Sequence, residues 1–130
     1  MSDATYPDLA DKAVVVTGGA TGIGAAIVRA FAAQGCRVGF VDLDADAARR
    51  LEAELGGAAR ATVADLRDIA GLRRALATLR AAHGPVSVLV NNAARDDRHR
   101  IEEVTPEYWD ERMATNLRHQ FFAVQATLDD

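Results

Sequence analysis

Thr17-Gly18-Gly19-Ala20-Thr21-Gly22-Ile23-Gly24 stands between two apolar segments. Ahead of it, Ala13-Val14-Val15-Val16 is a β-branched stretch of strand length. Behind it, residues 25–31 continue a pattern that puts Ile23, Ile27, Ala30 and Phe31 on one helical face. Strand, glycine turn and helix in that order form the context in which a glycine motif implies phosphate binding. Glycines let the backbone turn tightly and approach a ligand closely. The unpaired N–H groups and positive dipole end of the helix then favour a pyrophosphate. A glycine-rich turn that only closes a tight loop is the plainer alternative.

The spacing is Thr-Gly-x-x-x-Gly-x-Gly, carried by Gly18, Gly22 and Gly24, with Gly19 as an extra. It differs from the Gly-x-Gly-x-x-Gly fingerprint of Rossmann proteins. Further along, strand-like and helix-like stretches alternate. Val38–Val41 reads as a second strand, 44–55 as a helix stopped by Gly56-Gly57, and 60–64 as a third strand. Asp68 is a suitable N-cap for a helix with an Ile69, Leu72, Leu76, Leu79 stripe. Val86–Val90 is a fourth strand, apolar enough to be covered on both faces. Thr105-Pro106 then opens a long helix marked by Trp109, Met113, Leu117, Val124 and Leu128. Such alternation predicts an α/β fold of parallel strands with right-handed crossovers; in a doubly wound Rossmann-type sheet of order 3-2-1-4-5-6 these would be strands 1–4, in the order 3-2-1-4.

The sheet would stop at its fourth strand, leaving a β-branched segment as an open edge. Asp129 and Asp130 would also place negative charge at the negative end of the last helix dipole. Residues 1–130 are therefore expected to be one nucleotide-binding domain, truncated in the long helix after strand 4. The bulk numbers agree with a single domain: 130 residues, 49% of them hydrophobic, suffice for one core. A formal charge of −4 and a pI near 5.3 argue against a nucleic-acid partner. Cys36 stands alone, excluding an intramolecular disulfide and suiting a reducing compartment. No apolar run reaches membrane-helix length, and Met1 to Leu9 has no signal-peptide pattern. A cytoplasmic location, with no membrane partner, is the expectation.

Asp42 ends the second strand, eighteen positions beyond Gly24. An acid about 20 residues past the glycine turn is placed to hold the adenosine ribose diol. Its charge would repel a 2′-phosphate by about 1 kcal/mol in water and about 4 kcal/mol at an effective dielectric of 20 for charges about 4 Å apart. That favours NAD over NADP, with no basic side chain in Ala20-Thr21 to offset it. The alternative, that Asp42 merely caps the next helix, competes with Asp44, which suits that task. Asp65 ends the third strand, and Asn91-Asn92-Ala93-Ala94 ends the fourth. Ligands in open α/β sheets sit outside the carboxyl ends of strands. Ala93 and Ala94 leave room for a flat ring. A surface acid and a ligand-free turn are the structural alternatives.

Together the glycine turn, Asp42, Asp65-Leu66, Asn91-Asn92-Ala93-Ala94 and Thr115-Asn116-Leu117 resemble the short-chain dehydrogenase/reductase family, over the amino-terminal half of such an enzyme. The resemblance implies that Gly18, Ala20, Thr21, Gly22 and Gly24 wrap the pyrophosphate of NAD and that Ile23 lies toward the nicotinamide. It implies that Asp42 holds the ribose with Leu43 beside the cofactor, that Asp65 and Leu66 meet the adenine, and that Asn92, Ala93 and Ala94 line the nucleotide. Ala94 departs from the glycine usual there. Tyr6-Pro7, the 92–99 stretch and residues 108–119 are similar to bacterial aldose 1-dehydrogenases of the D-xylose and D-galactose type, which oxidise a sugar to its lactone. On that likeness Asp96, Asp97 and His99 meet sugar hydroxyls. A solvated charged loop is the alternative, and no second ligand cluster supports a metal there.

Catalysis in the family uses an Asn, a Ser and a Tyr-x-x-x-Lys pair. Asn116 matches the Asn, whose implied role is to place a water in the proton relay. Lys12 is the sole lysine, Tyr6 and Tyr108 are followed four on by Ala10 and Arg112, and the serines are Ser2 and Ser87. None suits the missing positions. The chain is thus expected to be the cofactor-binding half of an NAD-dependent alcohol or sugar dehydrogenase, inactive by itself. A non-catalytic NAD-binding module, or a half-domain completed by a second polypeptide, are the alternatives. The helix from Pro106 to Leu128 resembles the family's oligomerisation helix, implying a homodimer or homotetramer for the complete protein.

Overall fold

A computed structural model describes residues 4–130. The β-branched stretch before the glycine turn becomes β1 (Ala13–Thr17), every residue of which is buried. It is flanked by β2 (Arg37–Asp42) and β4 (Val88–Asn91), with β3 (Ala59–Val63) outside β2. All four strands are parallel, in the order β3-β2-β1-β4 anticipated from the alternating pattern. Helices α1 (Gly22–Ala33), α2 (Ala45–Leu55) and α3 (Ile69–His83) link them. After β4 come α4 (Pro106–Met113), a π-helical turn (Ala114–Arg118) and α5 (His119–Thr127).

The register aligns the strand ends. Thr17 pairs with Val41 on one side and Asn91 on the other, while Asp42 pairs with Val63. All four carboxyl ends therefore open toward one rim. The apolar residues alternate to two faces, as a sheet covered on both sides requires. On one face Val14, Val16, Val38 and Phe40 meet Val28, Ala48 and Leu51. On the other, Val15 and Val41 meet Leu72, Leu76, Leu79 and Ala123.

Local chemistry explains most boundaries. Asp44 accepts from the N–H groups of Asp46 (3.1 Å) and Ala47 (2.9 Å), starting α2. Thr105 Oγ1 accepts from the Tyr108 N–H at 3.1 Å, with Pro106 in the first turn of α4. Asp68 stands at the N-cap of α3, but its side chain caps no N–H and faces Arg74 at 3.5 Å instead.

The last helical run differs most from the pattern. It is not one uniform helix, because the π turn inserts a wide turn between α4 and α5. The buried side carries Ala114, His119 and Ala123. Trp109, Met113, Leu117, Phe121, Val124 and Leu128 all point outward, each at least 38% exposed. Both faces of this segment are apolar, so periodicity alone could not choose the inner one. The acidic end of α5 is accommodated by pairing. Arg80 donates to the Asp130 carboxylate from Nε (3.0 Å) and Nη2 (2.7 Å), and the Val86 N–H donates to it at 3.1 Å. Among the described residues, β4 pairs with β1 alone.

His119 is fully buried against the turn after β4, with Nε2 3.1 Å from the Ala93 carbonyl. That contact makes Nε2 the protonated nitrogen, and Nδ1 has no well-formed hydrogen bond. Burial pushes its pKa below the ordinary value, against the opposing carbonyls of Thr115 and Ala93. A histidine whose folded pKa is depressed contributes stability that is complete above the unfolded value of about 6.5 and lost as pH falls below it. The thermal midpoint is expected to drop between pH 7.5 and 5.5 and to drop less in His119→Phe. His83, also depressed by burial and by Arg37 and Arg60, acts in the same direction, so His119→Phe combined with His83→Gln is expected to be flatter still.

Candidate functional site

The rim is built by turns that bond to one another. Thr17 is wholly buried at the end of β1. Its Oγ1 accepts from the N–H groups of Asn92 and Ala93, both at 3.1 Å, and donates to the Val90 carbonyl at 3.4 Å. Asn92 Nδ2 returns two bonds, to the carbonyls of Thr17 (3.1 Å) and Gly18 (3.0 Å). The turns after β1 and β4 are thereby one unit. Asp42 joins the end of β2 to them. Its Oδ2 accepts from the Ala20 N–H at 2.9 Å and its Oδ1 from the Asp44 N–H at 3.0 Å.

The entry to α1 is open. Thr21 holds the N-cap position in an extended conformation, but its side chain caps nothing. The first N–H groups of a helix have no partner within the helix, so they are left for a ligand. Gly22 takes φ +53°, and a Cβ there would meet nothing within 4 Å. Its conformation demands glycine and the space beyond it is free. Gly24 answers a different need: a Cβ would lie 1.8 Å from the Gly18 carbonyl oxygen. The loop can fold back on the helix only because that atom is missing.

These turns enclose a cleft of about 590 Å³. Of the residues that the sequence singles out for the cofactor, Gly18, Thr21, Gly22, Ile23, Gly24, Asp42, Leu43, Asp65, Leu66, Asn92, Ala93 and Ala94 line it. Ala20 lies beneath the lining, buried, with its N–H on Asp42. Ile23 and Leu43 expose apolar side chains at 76% and 66%, as faces for a flat ligand would. Of the three residues considered for substrate, Asp96 reaches the cleft, whereas Asp97 and His99 do not. Asn116 sits in the π turn outside the lining, and its amide clasps the Arg95 backbone. Oδ1 accepts from the Arg95 N–H at 2.7 Å and Nδ2 donates to its carbonyl at 3.1 Å.

Sequence reasoning gave no place at the cleft to Arg67, Glu111 and Thr115, which also line it. Arg67 donates from Nε and Nη2 to the Asp65 carboxylate at 2.6–3.1 Å. That contact holds the Asp65 carboxyl below the usual carboxylate range, against partial burial. The arginine two places past Asp65 was the available signal. Nothing local connects Glu111 to it, forty-four residues later.

The geometry fits a dinucleotide: glycines where a Cβ would block the turn, free helix N–H groups, an acid beside them and apolar faces on either side. A cleft of about 300–1,000 Å³ is the usual scale of a small-molecule site. Among the described residues, no cluster of three or more His, Cys, Asp or Glu is arranged to hold a metal ion. Nor is any described helix long and apolar enough to cross a membrane.

A family model described as short chain dehydrogenase matches residues 12–130, and the chain belongs to that family. It is 51% identical over 125 residues to a probable galactose dehydrogenase of Rhizobium meliloti (strain 1021), covering 93% of this chain and 49% of that protein. It is 48% identical over 126 residues to a D-xylose 1-dehydrogenase of Caulobacter vibrioides (strain NA1000 / CB15N), covering 97% and 50%. A blue fluorescent protein from a metagenomic library, solved in complex with NADPH, superposes with a TM-score of 0.88 at 41% identity, covering 94% of this chain and 52% of that one. A 3-ketoacyl-(acyl-carrier-protein) reductase from Brucella melitensis, complexed with NADH, gives 0.84 at 30% identity, covering 90% and 49%. The chain thus spans about half the length of the relatives it matches.

Gly24→Ala is expected to cost about 1–3 kcal/mol, the usual range for an overpacked site. The check is urea unfolding, read as a lowered midpoint with an unchanged slope.

Proposed function

We propose that this chain is the cofactor-binding half of an NAD-dependent dehydrogenase that acts on a sugar or alcohol hydroxyl, with aldose-to-lactone oxidation favoured. The observation that carries it is the Asp42 carboxylate at the end of β2, bonded to the glycine turn through Ala20 and bordering the cleft. The bound cofactor supplies the hydride acceptor. The N–H groups opening α1 hold its pyrophosphate, Asp42 and Leu43 its adenosine ribose, Asp65 and Leu66 its adenine, and Asn92, Ala93 and Ala94 border the nucleotide. The sugar specificity is supported by the named activities of the two relatives and by Asp96 at the rim.

For Asn116 we keep the place in the proton relay that the family likeness implies; its side-chain amide bonds the Arg95 backbone, and its carbonyl accepts from Gln120 Nε2 at 3.0 Å. The preference for NAD rests on Asp42, since solved relatives hold NADPH in one case and NADH in another. The basic side chains lining the cleft are Arg67 and Arg95, which face Asp65 and Asp97. Neither offsets the charge of Asp42 against a 2′-phosphate. The outward row from Trp109 to Leu128 supports a homodimer or homotetramer for the complete protein.

NADH titrated against the purified protein, followed by ligand fluorescence, is expected to bind at least about tenfold more tightly than NADPH, equivalent to about 1.4 kcal/mol. Asp42→Asn is expected to narrow that gap; a variant that still prefers NADH to the same degree refutes the role of Asp42. The chain alone, lacking the Ser and the Tyr-x-x-x-Lys pair, is expected to reduce no NAD with D-xylose or D-galactose. Phe121→Asp, placed in the outward row, is expected to lower the mass found by light scattering.

A further inference from the structure

Outside the glycine turn, the densest set of charged contacts runs from the end of β3 to the loop after β4. Arg67 bonds Asp65 with Nη2 at 2.6 Å and reaches Glu111 on α4 with Nη1 at 3.3 Å. Glu111 is shared. Its Oε1 takes Arg67 and the Thr115 hydroxyl (3.0 Å), while its Oε2 takes Arg112 Nε at 2.7 Å. Arg112 Nη1 then bonds the Asp97 carboxylate at 3.2 Å and the Arg95 carbonyl at 3.4 Å. Its guanidinium lies 5.3 Å from the centroid of the Tyr108 ring, whose hydroxyl is 3.0 Å from His99 Nδ1. Arg95 Nε closes the set on Asp97 at 2.7 Å. With a side chain only 14% exposed, Arg112 is the shielded hub of this set.

Its two ends face different ligands. Asp65 lies at the part of the cleft assigned to adenine, and the 95–99 segment, through Asp96, lies at the rim assigned to substrate. Asp97 and His99 are occupied by Arg112, Arg95 and Tyr108, so they shape the loop and leave Asp96 as the acid turned to the cleft. We infer that Glu111 and Arg112 are positioning residues that couple the adenine end of the nucleotide cleft to the substrate loop.

The sign follows from the contacts. An exocyclic amine donating to Asp65 must share oxygens that Arg67 now holds. Arg67 then leans on its other acceptor, Glu111. Arg67 and Arg112 use different oxygens of Glu111, so a carboxylate whose orientation is set from the Arg67 side also sets where Arg112 sits. Nucleotide binding is expected to tighten residues 95–99 before any sugar arrives. A charge-assisted fork is needed at Arg112, since a lysine there could not bridge Glu111, Asp97 and the Arg95 carbonyl together.

The inference rests on the NAD reading above, and the test separates the two. Amide hydrogen exchange of residues 95–99 is measured in the purified protein with and without saturating NADH, while fluorescence independently measures NADH binding. NADH is expected to slow exchange in this loop at least about fivefold, the lower end of the usual range for coupled sites. Glu111→Gln keeps the shape but weakens both arginine contacts, and is expected to lose the loop response at NADH concentrations that the fluorescence titration of the variant itself shows to be saturating. Arg112→Lys is expected to speed loop exchange in the free protein as well. A protein that binds no NADH overturns the nucleotide reading and this inference with it. One that binds NADH while its loop exchanges unchanged, or a Glu111→Gln variant with the full response, overturns the coupling alone.

Discussion

The buried hydroxyl of Thr17 holds this rim together. A sheet of parallel strands aligns its carboxyl ends, but alignment alone does not make a site. The turns that leave those ends must be fixed in relation to each other. Thr17 does this by accepting two N–H groups from the turn after β4 and donating to the strand before it. Asn92 answers with two bonds to the glycine turn. Removing a partner from such a buried set leaves polar groups unsatisfied, at about 1–3 kcal/mol each. The threonine that opens the glycine motif is therefore a bracket between loops seventy-five residues apart.

Around that bracket the charges divide their work. Asp42 bonds backbone N–H groups of the glycine turn and of the α2 entry, so the acid that ends β2 also holds the floor of the cleft in place. Asp44 is left to cap α2. Farther out, Asp65, Arg67, Glu111, Arg112 and Asp97 alternate in sign and link three segments distant in sequence. Exposed ion pairs taken singly contribute little to stability. Their value here is positional, because each fixes the orientation of the next.

Much of the fold was legible because it depends on local chemistry. The glycine turn, the valine runs and the alternation of two periodicities specify β1, α1 and parallel strands, and the likeness to a dinucleotide fold supplies their order. The residues expected to surround a cofactor sit at strand ends, and parallel pairing brings strand ends together whatever the intervening loops contain. The final helix was less legible. Trp109, Met113, Leu117, Val124 and Leu128 follow helical spacing, yet they face outward while His119 and Ala123 pack inward. An apolar pattern on both faces leaves orientation undetermined, and the π turn at Ala114–Arg118 shifts the phase partway along.

The sequence by itself determined the α/β class and its parallel strands, which follow from periodicity, while the strand order and the family came from the likeness of its motifs, taken together, to a known fold and family. It also showed which catalytic side chains these 130 residues do not contain. Only the tertiary structure decided that Asn92 and Thr17 are mutual partners and that Glu111 reaches Arg67. Those pairings join residues tens of positions apart, and nothing in local spacing encodes which distant side chain will lie within hydrogen-bonding distance once the helices have packed.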